Sequence, residues 1–127
     1  MILNLSELSA EPLHAQISRQ IRAKILSEDL AVGAGLPSIR ALARQQRVSV
    51  ITVKRAYDDL EKEGLVWSRP GKGFWVSELS AERRRDIVEE RFVNELSVLV
   101  AHTAAEGLSG AAMRRILAEL LEKGANR

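Results

Sequence analysis

Apolar positions set the organisation of the first half of the chain. Leu13, Ile17, Ile21 and Ile25 recur at four-residue spacing, which predicts a helix from about Pro12 to Glu28 with a single apolar stripe. Pro12 suits its start, where a missing N–H costs nothing. Gly33, Gly35 and Pro37 then end the helix in a tight loop. Ser38 precedes Ile39, Leu42 and Ala43, a short helix opened by a serine in the capping position. That helix runs out near Gln45 to Arg47, with Val48 expected in a buried turn. Ser49 is a second cap, and Val53, Ala56, Tyr57 and Leu60 trace one face of the next helix. Gly64 closes it in the left-handed conformation that glycine tolerates.

Beyond Gly64 the helical period is lost. Leu65, Val66 and Trp67 predict a short strand, Ser68 to Gly73 a turn, and Phe74, Trp75 and Val76 a second strand. Helical spacing then returns. Ser80 caps a helix with Val88, Phe92, Leu96, Leu99, Val100 and Thr103 along one stripe, and Gly107 breaks it. Ser109 opens a last helix carrying Met113, Ile116, Leu117, Leu120 and Leu121, expected to end at Gly124. There is no internal repeat and no low-complexity segment. The fold class is mainly α: a winged helix-turn-helix domain over residues 1–77 and a two-helix tail over residues 78–127.

Composition narrows the chemistry. The 127 residues are 46% hydrophobic but only 4% aromatic, so the core must be aliphatic. With no cysteine there is no disulfide framework, thiolate metal site or cysteine nucleophile. His14 and His102 stand far apart without partners of ligand type, so neither a metal nor a cofactor is expected. No apolar run approaches the roughly 20 residues of a membrane helix, and the start lacks a signal-peptide pattern, so a cytoplasmic protein without membrane contact is expected. The net charge is only +2, but its distribution is uneven. From Gly33 to Ser77 eight basic residues face four acidic ones, whereas from Glu78 onward eight basic residues face nine acidic. An anionic partner for the middle of the chain follows.

In a winged helix-turn-helix the third helix enters the major groove with its first turns facing the bases. The core face leaves Val50, Ile51, Lys54, Arg55 and Asp58 pointing outward, and puts Thr52 where its hydroxyl can reach a phosphate or a base edge. Ile51 either meets thymine methyl groups or packs under the neighbouring helix. Arg40, in the first turn of the second helix, reaches a phosphate or a guanine. Arg69, Gly71 and Lys72 at the hairpin tip either lie along an adjacent minor groove or form a solvated turn. The one dense carboxylate group, Asp58, Asp59, Glu61 and Glu63, has no base partner, glycine loop or metal ligand, so the chain is not expected to be an enzyme. A protein-docking winged helix and a sequence-neutral DNA binder are the remaining rivals.

Gly35-Leu36-Pro37-Ser38-Ile39-Arg40-Ala41-Leu42-Ala43, then Val48-Ser49, Thr52-Val53, Ala56-Tyr57, Leu60-Glu61-Lys62-Glu63-Gly64-Leu65 and Pro70-Gly71-Lys72-Gly73, resemble the GntR family of bacterial transcription regulators. With the first helix the resemblance covers residues 10 to 77. It implies binding to double-stranded DNA as a homodimer on an inverted-repeat operator, with control by a small-molecule effector or by the tail. By the same resemblance Arg40 matches the arginine that contacts operator DNA, and Ser49 and Thr52 match hydroxyl contacts. Lys54 matches a position more often arginine, and Gly71 matches the wing-tip glycine. Val50 departs from the arginine common there, which implies a different operator, and Ile39 departs from a common glutamate. The DNA-binding set is then Ser38, Arg40, Ser49, Val50, Ile51, Thr52, Lys54, Arg55, Arg69, Gly71 and Lys72.

The tail is too short for the large effector domains of most of the family. With Gly73-Phe74-Trp75-Val76 after the wing, it resembles the YtrA subfamily. That kinship implies a compact regulator, often of transport-related operons, and a repressor is expected because nothing in the sequence resembles a polymerase-contacting surface. Two amphipathic helices bury their stripes poorly against each other, so a second copy is expected to cover them. Phe92, Leu96, Leu99, Leu117 and Leu120 form the expected dimer core. The alternative is a tail folded back on its own winged domain.

Overall fold

A stripe of isoleucines at every fourth position makes α1, Leu13–Leu26, whose Ile17, Ile21 and Ile25 are buried. A computed structural model describes residues 1–125, so the last two positions of the expected tail lie outside the described residues. The chain divides into two compact units, the first Met1–Arg84 and the second from Arg85 onward. This division falls inside a helix, a few residues beyond the boundary after residue 77 expected from the hydrophobic pattern.

In the first unit, α2 (Ile39–Gln46) and α3 (Val50–Lys62) each start at a serine. Ser38 Oγ accepts the Ala41 N–H at 3.1 Å, and Ser49 Oγ accepts the Thr52 N–H at 3.1 Å. Each such cap is worth about 1 kcal/mol. Helix α2 ends with Arg47 in the left-handed conformation at φ 56°. The Arg47 N–H donates to Arg44 O and the Val48 N–H to Ala43 O, closing the last turn. Val48 is half-buried, less than expected. The same pair of bonds ends α3 at Gly64, φ 78°.

Strands β1 (Val66–Arg69) and β2 (Gly73–Val76) form an antiparallel hairpin, with Trp67 opposite Trp75 and Arg69 opposite Gly73. They extend closer to the turn than the apolar residues indicated, because backbone pairing takes in Ser68 and Arg69 as readily as the valine and tryptophan. The α1–α2 loop runs along the other edge of β2. Gly33 N–H donates to Val76 O, Val76 N–H to Ala34 O and Leu36 N–H to Phe74 O, each at 2.9 Å. A loop on sequence grounds is therefore an irregular third strand that covers the wing's edge.

The core lies where α1 crosses α3: Ile17, Ile21 and Ile25 meet the Val53, Ala56, Tyr57 and Leu60 face, closed by Leu42, Leu65, Val66 and Val76. Each large aliphatic side chain buried there contributes roughly 1.5–3 kcal/mol. Tyr57 donates its hydroxyl to Pro37 O at 2.7 Å and meets the Phe74 ring edge-on at 5.0 Å. Arg22 grips Glu63 with two nitrogens, at 2.7 and 3.1 Å, tying α1 to the end of α3. Ahead of α1, the side-chain amide of Gln20 pairs with both backbone groups of Asn4, and that of Gln16 with both of Ser6. These two glutamines act as a substitute strand and pin the N-terminal segment, with Leu3 buried beneath it.

Helix α4 (Ala81–Ala105) opens at Ser80, whose Oγ accepts the Arg83 N–H at 3.0 Å. Its first residues belong to the first unit, where Arg84 pairs with Glu28 at 2.7 Å. In the second unit α4 ends at Gly107, φ 100°, and Ser109 caps α5 (Gly110–Ala125). Helix α5 runs through Gly124 instead of stopping there, since a single glycine costs a helix only about 1 kcal/mol. The tail helices have 25 and 16 residues, so α4 is long. They share few close contacts and leave their apolar stripes uncovered.

Candidate nucleic-acid interface

The capping serines that start α2 and α3 also display hydroxyls at two helix N-termini, where free N–H groups favour anions. Ser49 Oγ lies 2.8 Å from Thr52 Oγ1 as well as accepting the Thr52 N–H, so the two hydroxyls form one preset polar pair at the tip of α3. A hydroxyl has one donor and two acceptor sites, which leaves this pair able to meet a phosphate or a base edge. Beyond it, α3 turns its core face inward and leaves Val50 45% and Ile51 78% exposed. Ile51 therefore does not pack under the neighbouring helix. Arg55 is exposed on the same helix without an ion-pair partner among the described residues. Lys54 differs: its Nζ is held by Asp58 Oδ2 at 2.7 Å, one turn along. Arg40, at the start of α2, is exposed and unpaired among the described residues.

Residue types in the hairpin set the shape of the wing. Gly71 takes φ 72° at the turn, and the Lys72 N–H donates to Arg69 O at 3.0 Å, so Arg69 and Lys72 flank an exposed tip. Ser68 Oγ bonds Glu61 Oε2 at 2.5 Å and fastens β1 to the end of α3. Trp67 stacks on Trp75 with ring centroids 4.6 Å apart. All the residues of the expected DNA-binding set lie in the first unit, and all are exposed except the half-buried Thr52.

Sequence reasoning passed over Arg44 and Arg47, both exposed. The signal was present: between Ser38 and Arg55 there are five basic residues and no acidic one. The outward stacking of Trp67 on Trp75 was also missed, although alternation along two paired strands places both on one face.

In the second unit, Leu96, Leu99, Leu117 and Leu120 share a groove of about 450 Å³ between α4 and α5, with Val100, Met113 and Ile116. Phe92 is exposed on α4 but does not line the groove. Among the described residues no cluster of His, Asp or Glu could hold a metal ion, and no helix is long and apolar enough to cross a membrane.

Residues 13–76 match the bacterial regulatory proteins of the gntR family, and the chain belongs to that family. Within it the chain resembles the YtrA-like members: the HTH-type transcriptional repressor YtrA of Bacillus subtilis is 32% identical over 77 residues, 61% of this chain and 59% of the relative. YtrA from Sulfolobus acidocaldarius, a GntR-family transcription factor, superposes with a TM-score of 0.58 at 26% identity, over 95% of this chain and 97% of that one. The HTH-type regulator YhcF of Bacillus subtilis is 34% identical over 82 residues, 65% of this chain and 64% of the relative. The chain spans under two thirds of the length of curated relatives that it matches. The DNA-binding domain of AraR, solved in complex with operator ORX1, is similar over 59% of this chain and 93% of that one, with 30% identity and a TM-score of 0.53.

Proposed function

We propose that this chain regulates transcription by binding double-stranded DNA sequence-specifically, through α2, α3 and the wing. The observation that carries the reading is Ile51, an isoleucine held 78% exposed on the first turn of α3 beside hydroxyls and cations. Water is a poor environment for such a side chain, whereas a thymine methyl in the major groove is a good one. Arg40, Arg55 and the Ser49–Thr52 pair meet phosphates or base edges around it, and Arg69 and Lys72 follow the adjacent minor groove across Gly71. Val50 leaves that position of α3 without the arginine that would read a guanine there. The AraR domain on its operator supports the docking geometry by kinship.

The uncovered leucine stripes of α4 and α5 support a homodimer, with Phe92 at the edge of the shared core. A two-fold dimer reads an inverted repeat, with half-sites about 34 Å or more apart. We assign the protein to the cytoplasm, as a repressor of operons including transport genes, released by a small-molecule signal; the Bacillus subtilis relatives NagR and YtrA, both named transcriptional repressors, support the repressor part.

Fluorescence anisotropy with a labelled duplex across a salt series tests DNA binding. The logarithm of affinity should fall linearly with the logarithm of salt, by about 0.9 for each phosphate neutralised. A flat response would instead favour a protein-docking module.

A further inference from the structure

We infer that Arg44 and Arg47 continue the DNA-binding surface from Arg40 along α2, as a ridge of guanidinium groups that grips the phosphate backbone beside the third helix. This rests on the DNA-binding reading above and extends it to two further residues. Positions 40, 44 and 47 lie four and three apart, so they share one face of α2 and its end, while Leu42 and Ala43 are buried on another. All three arginines are exposed. None has a carboxylate partner among the described residues, although Arg19, Arg22, Arg84, Arg91 and Arg115 each have one.

Folding stability alone would not choose this arrangement. Like charges four apart on a helix destabilise it, and the stretch from Ser38 to Arg55 holds no acidic residue to relieve them. Arg47 also occupies a left-handed position, φ 56°, where L-residues other than glycine are strained. The equivalent positions after α3 and α4 are Gly64 and Gly107, and the other left-handed residue that is not glycine, Glu28 after α1, has its charge paired with Arg84. An anion laid along the ridge relieves the charge repulsion. Guanidinium groups pair with phosphate oxygens through two parallel bonds, and Arg47 stands two residues before Ser49, so the ridge leads into the hydroxyl pair at the tip of α3.

A purely structural role is the competing account, because cations near a helix C-terminus favour its dipole. The two accounts differ for Arg47→Gly. Under the ridge, this variant melts at or above the wild-type temperature yet binds a fluorescein-labelled duplex of mixed sequence roughly tenfold more weakly at low salt. Its salt slope falls by about 0.9, and Arg44→Gln, on regular helix, loses a similar amount. Wild-type affinity and slope in both variants would overturn the ridge while leaving DNA binding intact. A wild-type chain that binds no duplex would overturn the DNA-binding reading, and the ridge with it.

Discussion

At the residue scale, burial of one phenol controls how α3 seats on the loop before α2. Tyr57 donates to Pro37 O at 2.7 Å, and burial raises its pKa above the usual tyrosine range. Tyr57→Phe leaves that carbonyl unpaired and should cost about 1–3 kcal/mol in urea unfolding. The phenol titrates near pH 10 in the unfolded chain and higher in the folded one, so its contribution is complete below about pH 10 and is lost as pH rises toward the folded value. Urea melts across that range should show the wild type weakening and Tyr57→Phe losing this part of the decline. Lys54 offers a second single-residue test. Its Asp58 partner holds the ammonium back and adds a negative charge to the proposed DNA face. An exposed pair of this kind is worth about 0.2–1 kcal/mol, so Asp58→Asn should strengthen duplex binding a few-fold by anisotropy. Unchanged or weaker binding would remove Lys54 from the contact set.

At the scale of elements, the helix starts were legible because a cap is a local device. Ser38, Ser49, Ser80 and Ser109 each accept the backbone N–H three residues ahead. The apolar stripes were legible for the same reason, since three or four residues bring side chains to one face. What escaped depends on partners distant in sequence. Gln16 and Gln20 look like ordinary polar helix residues until they pair with Ser6 and Asn4. The loop from Gly33 to Leu36 has no alternation, yet its backbone pairs with β2. Ile87 was left out of the α4 stripe and is its buried residue. Of the candidate site, the exposed face of α3 followed from subtraction of the core face, whereas Arg44 and Arg47 showed in the sequence only as part of a basic run, and the end geometry of α2 joins them to Arg40. Ser49 separates the element's two roles. Ser49→Ala should lower stability by about 0.5–2 kcal/mol, while Ser49→Asp keeps the cap and sets a negative charge against phosphate. In thermal melts and anisotropy, Ser49→Asp should be as stable as wild type and bind duplex more weakly. Undiminished binding would mean Ser49 serves only the helix.

For the whole molecule, the proposed function divides between a winged unit that would meet DNA and a helical unit that would pair with a second copy. Leu96 and Leu99 line the groove with Leu117 and Leu120. Leu96→Glu or Leu99→Glu should therefore yield monomers by light scattering, with the winged unit still folded by circular dichroism. A dimer of undiminished strength would move the interface elsewhere. The central claim is sequence-specific recognition by two such copies, and selection of duplexes from a random library at moderate salt tests it most directly. The account predicts an enriched two-fold symmetric motif, with half-site centres one or more helical turns apart, about 34 Å each. Enrichment of no motif, or of a single asymmetric site, would contradict it.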